Sequence, residues 1–206
     1  MNELSSAGLK LILDSEVGGG EEYYDKFLSH PTWPGAESGV TIGIGYDLGF
    51  TPRSRFRNDW SALSESVRER LELTIGIRGL RAREKVKEVK DILIPWEMAY
   101  SVYKEHTIPE WVAKTKVAFP GVDKLPKDVL GALTSLVFNR GTSMEGDRRR
   151  EMRDIREAVQ DKDLPAIAKH IRRMKRLWTG RGLEGLLVRR DAESKLVLDA
   201  AQSDFV

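Results

Sequence analysis

The chain has 206 residues, 34 Lys or Arg against 32 Asp or Glu for a net charge of +2, and no cysteine. A hydrophobic fraction of 40% at this length supports one sizeable core or a small lobe joined to a larger one, and it excludes an intrinsically disordered chain. Disulfides, thiolate metal sites and cysteine nucleophiles are excluded outright.

The first 16 residues carry acidic side chains and lack a basic region followed by a long apolar run, so no secretory signal is expected. No segment approaches the roughly 18 consecutive apolar residues of a membrane span. Residues 140 to 190 hold 15 Lys or Arg against 8 Asp or Glu, a local +7 that leaves −5 for the remainder. A basic C-terminal part favours an anionic polymer, cell-wall glycan or nucleic acid alike.

In chain order, Leu4, Leu11 and Ile12 fall at helical spacing with Asn2 or Ser5 as cap, which predicts a helix over about 3 to 15, stopped by glycines 18 to 20. Residues 21 to 49 are aromatic, β-branched and punctuated by Pro31, Pro34, Gly35 and Gly39, the pattern of a short β hairpin with a long connection. Trp60, Leu63, Val67, Leu71 and Ile75 predict one helix over 59 to 75, followed by a charged helix over 81 to 92 and another from Pro95. Pro126 opens a strongly apolar helix that should be the central buried one. Further helices are expected through Met152 to Val159, Leu164 to Leu177, and Gly185 to Ala201. The expected architecture is a single α+β, mainly helical domain: a small β-containing lobe over 16–50 packed on a helical lobe over 51–206, with a cleft between.

Two features carry candidate chemistry. Glu16 falls at a helix C-terminus, where the partial negative charge of the dipole disfavours a carboxylate and favours the protonated form that a general acid needs. An ordinary solvated glutamate at a helix end fits that position as well. From Gly39 to Asp47 the residues alternate, so Val40, Ile42 and Ile44 should face a core while Thr41, Gly43, Gly45 and Asp47 share the other face. That face is either an open surface for a sugar ring or a glycine-rich strand shaped for tight packing.

Taken together, these segments resemble the phage-type lysozymes, the family of phage endolysins and of muramidase domains in toxins such as pesticin. The resemblance rests on Glu16 after an N-terminal helix, Tyr24-Asp25, the Thr41-Ile-Gly-Ile-Gly45 strand, the helix and Phe-Asn-x-Gly ending over 132–141, and the Gly-Leu-x-x-Arg-Arg-x-x-Glu segment over 185–193. It spans residues 4 to 198 and implies a lysozyme-like fold. It also implies a hydrolase that cuts the bond between N-acetylmuramic acid and N-acetylglucosamine in bacterial peptidoglycan, without metal or organic cofactor.

The resemblance implies Glu16 as general acid and a second carboxylate that works with Thr41 to activate water. Eight residues separate Glu16 from Asp25, as in the compact phage pattern, but fifteen separate Asp25 from Thr41, so the hairpin is enlarged. The pesticin-like form of Ser38 to Asp47 makes Asp47 the rival. A straight strand would put Asp47 about 20 Å from Thr41 at roughly 3.3 Å per residue, so Asp47 requires a bend at Gly43 or Gly45. Asp25 requires a register across the hairpin that faces Thr41, and of the two it is slightly favoured.

Trp33 in the hairpin loop and Tyr46 beside Asp47 are the expected aromatic substrate contacts, whereas the other tryptophans read as core. Asn139 and Arg140, at the end of the central helix, are implied by the resemblance on the structural or substrate side. His30, His106 and His170 lack metal-ligand spacing or a partnered serine and read as structural or solvated. The arginine clusters at 148–150 and 172–173, with Lys175 and Arg176, offer a rival reading as an anionic-polymer or nucleic-acid binder. Interleaved Glu145, Asp147, Glu151, Asp154 and Glu157 favour a solvated, salt-bridged helix instead. A lytic transglycosylase acting on the same bond is the other alternative. With no signal segment, the expected biology is a monomeric enzyme made in the cytoplasm that reaches the wall through a holin pore or a secretion machine, with an immunity or inhibitor protein as a further partner.

Overall fold

The computed structural model describes residues 3–18 and 20–203, in two compact units. One unit comprises residues 16–108. The other combines residues up to Ser15 with those from Pro109 onward. The expected lobe boundary near residue 50 does not coincide with these units, because residues 51–108 cluster with 16–50.

The second unit is helical. Helix α1, Ser6–Glu16, contributes to it up to Ser15 and buries Gly8 and Ile12. The hydroxyl of Ser5 caps it by accepting the Gly8 N–H at 2.9 Å; Asn2, the other expected cap, lies outside the described residues. The chain resumes with α7, Ile108–Ala118, a helix absent from the sequence reading. Pro126 then precedes α8, Lys127–Arg140, in which every residue from Val129 to Val137 is buried. A helix with no polar face must be surrounded, and α8 is the centre of this unit as expected.

Helix α11, Glu184–Ser203, packs on α8 and on α10, Leu164–Arg173, which in turn packs on α9, Arg150–Gln160. Met152, Ile155, Ala158 and Val159 form the buried face of α9; Leu164, Ile167, Ala168 and Ile171 form that of α10. A buried ionic cluster joins α8 to α11: Glu193 accepts from Ser135 Oγ at 2.6 Å and from Arg190 Nη2 at 2.6 Å, while Arg189 Nη2 reaches the Ser135 carbonyl at 2.9 Å.

The unit of residues 16–108 departs more from expectation. Residues 20–27 are helix α2, Gly20–Phe27, not hairpin. Glu21 and Glu22 in its first turn and Lys26 in its last complement the helix dipole. Tyr24 is its buried anchor, donating its hydroxyl to the Ile94 carbonyl at 2.9 Å and packing on Trp96.

Of the helix expected over 59–75, only α4, Glu65–Glu72, is formed; α3, Arg53–Asp59, ends where that helix should begin. Ser64 is extended, with φ −60° and ψ 152°, and restarts the chain for α4. Helix α5, Leu80–Val89, matches the charged helix of the sequence reading, and α6, Trp96–Val102, follows Pro95 and runs into a π turn at Tyr103–Thr107. The whole β content among the described residues is one antiparallel pair, β1, Thr41–Ile42, and β2, Tyr46–Asp47, with single bridges from Thr32 to Thr41 and from Gly39 to Arg78.

Candidate active site

The 39–47 segment turns back on itself instead of running straight. Gly43 and Gly45 take φ of +55° and +69°, values that side-chain-bearing residues rarely adopt, and the reversal places Thr41 directly opposite Asp47. The distance objection to Asp47 therefore falls: the required bend is present. Thr41 is tied on its other side to Thr32, by reciprocal backbone hydrogen bonds of 2.8 and 2.9 Å. Its two strand neighbours are Thr32 and Asp47.

Of the two readings of this face, tight packing holds for Thr41 and Gly43, while Gly45 is exposed and Asp47 partly accessible. Thr41 and Gly43 are buried, and a Cβ added at Gly43 would meet the Trp60 ring at 2.8 Å. Tight packing is thus the reason for that glycine. The Thr41 hydroxyl is buried with no hydrogen-bond partner among the described residues, an arrangement that proteins rarely leave in place without a use.

Asp47 is held by backbone. Its Oδ1 accepts the N–H of Gly49 at 2.7 Å and that of Gly39 at 3.0 Å, and the Gly39 N–H also reaches Oδ2 at 3.1 Å. The two glycines approach so closely that a Cβ on Gly39 would lie 2.2 Å from the Gly49 nitrogen. Only bare backbone lets both N–H groups converge on one carboxylate. The Asp47 side chain stays partly accessible.

Tyr46 is buried, with its ring edge-on to Trp60 and its hydroxyl donated to Asp59 Oδ2 at 2.8 Å. Burial, followed by the hydrogen bond and charge of Asp59, pushes its phenol well above the ordinary tyrosine value. As a substrate contact Tyr46 presents no free hydroxyl; it anchors β2 instead. Asp59, also buried, further accepts from Arg55 Nε at 3.1 Å and faces His106 Nδ1 at 3.1 Å. This anchor was not foreseen from sequence. Its only local signal is the Arg55 to Asp59 spacing, and the Tyr46 and His106 links are non-local.

Glu16 ends α1 and is half-buried, between exposed Ser15 and buried Val17. Asp25 lies on α2, exposed, and is not the strand partner of Thr41. Trp33 is half-buried, donating its indole N–H to the Ser38 carbonyl at 3.1 Å, with the Arg83 guanidinium 5.9 Å from its ring centre. Among the described residues no group of three or more His, Cys, Asp or Glu is arranged to hold a metal.

In the other unit, Asn139 and Arg140 finish α8 before Gly141. Asn139 Oδ1 accepts a long, 3.4 Å contact from Arg190 Nη1. Arg140 spans to the Arg148 carbonyl at 2.6 Å and lies over the Trp178 ring at 5.1 Å.

Neither a protein-family model nor a curated protein matches the chain. Among solved structures it is similar to the crystal structure of the active form of the P1 phage endolysin Lyz, with a TM-score of 0.57 over 97% of this chain and 86% of that one, at 18% identity. The fold is lysozyme-like. This agrees with the mainly helical α+β class expected from sequence, with its small antiparallel pair. Within this lysozyme-like chain, no helix among the described residues is long and apolar enough to cross a membrane.

Proposed function

We propose that this protein is a peptidoglycan hydrolase of the muramidase type, cutting the glycosidic bond between N-acetylmuramic acid and N-acetylglucosamine. The observation that carries the reading is the Thr41–Asp47 cross-strand pair in a lysozyme-like fold. It joins an unpartnered buried hydroxyl to a carboxylate oriented by two backbone N–H groups.

In the proposed mechanism Glu16 gives its proton to the glycosidic oxygen as the bond to the anomeric carbon breaks. A water held by Thr41 attacks that carbon from the opposite face and passes its proton to Asp47. The anomeric centre inverts, and the products carry a free reducing end. Asp47 is preferred to Asp25 because its orientation is fixed and it faces Thr41, whereas Asp25 is on an exposed helix position.

The same reading places the enzyme on the bacterial wall, as a phage endolysin or as an antibacterial effector with a cognate immunity protein. The P1 endolysin likeness favours the first.

The test is release of muropeptides from purified peptidoglycan by wild type and by Glu16→Gln, Asp47→Asn and Asp25→Asn. Wild type should release reducing-end products, and Glu16→Gln should lose roughly 100- to 10,000-fold in kcat, the usual worth of a positioned acid. Asp47→Asn should be impaired and Asp25→Asn nearly normal. Inert wild type would overturn the assignment, and anhydro ends in the products would mark a lytic transglycosylase instead.

A further inference from the structure

The end of α8 and the short 3-10 turn Asp147–Arg149 bring three arginines together. Arg140 Nη2 donates to the Arg148 carbonyl at 2.6 Å, which draws the turn onto the helix end. The Arg140 guanidinium lies over Trp178, 5.1 Å from the ring centre, and that of buried Arg190 lies 5.7 Å from the centre of the same ring.

The sequence pattern suggested that acids interleaved with this run would neutralise it, and for part of it they do. Arg176 pairs with Glu151 at 2.5 Å and with Asp147 at 3.2 Å, and Arg150 approaches Glu151 at 3.6 Å. Arg190 is matched by Glu193 at 2.6 Å. Arg140, Arg148 and Arg149 are left over: among the described residues none of the three has a carboxylate oxygen within 4.0 Å.

Their mutual repulsion is only partly offset. Burial, then Arg149, Arg148 and Arg190, outweigh the opposing charge of Glu151 and bring Arg140 down to about 10 from its ordinary 12.5. Two of the buried donors, Arg140 Nε and Arg149 Nη1, have no acceptor, while Arg148 is exposed and Arg149 partly so. Like charges packed this way cost stability, and an incoming anion removes that cost.

We propose that Arg140, Arg148 and Arg149 form a binding site for a carboxylate, that of the peptide stem carried on peptidoglycan strands. The proposal rests on the muramidase reading and names the part of the substrate that this unit holds. Guanidinium forks match a planar carboxylate in two-point fashion, and a partly buried setting strengthens each bond. A nucleic acid fits less well. Its phosphates repeat along a backbone and call for a stripe of unpaired cations, whereas here Asp147 and Glu151 neutralise the adjoining arginines and confine the positive charge to one spot.

The test is calorimetric binding of four probes to the wild-type protein and to Arg148→Gln/Arg149→Gln. The probes are a disaccharide-peptide with free stem carboxylates, the same compound with those carboxylates amidated, the peptide-free disaccharide, and a single-stranded oligonucleotide. Wild type should prefer the free-carboxylate form over the amidated and peptide-free forms by roughly tenfold, the yield of one charge-assisted pair, and the double variant should lose that preference with a melting temperature no lower than that of wild type. Equal wild-type affinity for free and amidated forms would overturn the site, as would a preference that survives in the double variant. Tighter binding of a single-stranded oligonucleotide, lost in the double variant, would overturn it in favour of nucleic acid. Because the readout is binding, a protein that fails to cut peptidoglycan would refute the muramidase reading without deciding this comparison, so the two fail separately.

Discussion

At Asp47 a single carboxylate has two separable jobs, which two substitutions distinguish. Both short hydrogen bonds from Gly39 and Gly49 end on the same oxygen, Oδ1. An asparagine with its carbonyl in that position keeps both, so Asp47→Asn should preserve the hairpin and the melting temperature while removing the negative charge. Alanine leaves both N–H groups without their acceptor, at about 1–3 kcal/mol for a buried orphan, and should lower the melting temperature as well. If Asp47 only straps the turn, Asn retains activity and Ala loses it; if it takes the proton from water, both are inactive. Tyr46→Phe checks the neighbouring anchor. It removes the hydroxyl donated to buried Asp59 and should cost about 1 kcal/mol, read as a lower denaturation midpoint with KM unchanged. A rise in KM without loss of stability would instead restore Tyr46 as a substrate contact.

Elements with one dominant signal were legible, and those with competing signals were not. Helix α8 was read correctly because its apolar run is long and follows a proline. Ser5 was one of two caps read, with Asn2, because a short polar side chain before an apolar periodic stretch can accept from the first helical turn. Residues 20–27 were misread because Tyr23, Tyr24 and Phe27 carry strand propensity, yet the Tyr23 and Phe27 rings pack tilted against each other four residues apart along a helix, at 4.8 Å. The acidic start and basic end of that segment were the overlooked clue. In 59–75 the helical period ran on by coincidence across a turn: Trp60, Leu63 and Leu71 are all buried, but the first two from the connection after α3 and only Leu71 from α4. For the proposed site, type and order named Glu16, Thr41 and two rival carboxylates, with Asp25 slightly ahead of Asp47, while the 41-to-47 pairing depended on two positive φ angles that residue names alone permit but do not require. Capping also gives this scale its own test. The Asp163 carboxylate accepts the Ala166 N–H at 2.8 Å at the start of α10, so Asp163→Ala should destabilise by about 1 kcal/mol, measured by urea denaturation, with Asp163→Asn close to wild type.

Across the whole chain the charges nearly cancel, so the acid response should be governed by individual carboxylates and not by net repulsion. Glu151 is the clearest of them. Burial by itself raises its carboxyl, but the Arg176 guanidinium, held two-point at 2.5 and 3.2 Å, together with a backbone N–H and Arg150, more than reverses this and leaves it below the ordinary 4.5. A carboxyl depressed in the folded state binds its proton more readily when unfolded. Its contribution is therefore complete above the unfolded value and disappears as the pH falls through the lower folded one. Glu151→Gln should accordingly lower the melting temperature at neutral pH, by an amount equivalent to about 1–2 kcal/mol, and should give a shallower decline below about pH 4.5. The two curves should converge in strong acid, where wild-type Glu151 is also neutral. Melting curves that stay parallel from neutral to acid pH would show that the pairing with Arg176 contributes no proton-linked stability, and the acid limb would then have to come from carboxylates such as Asp91, which Arg70 holds down to about 2.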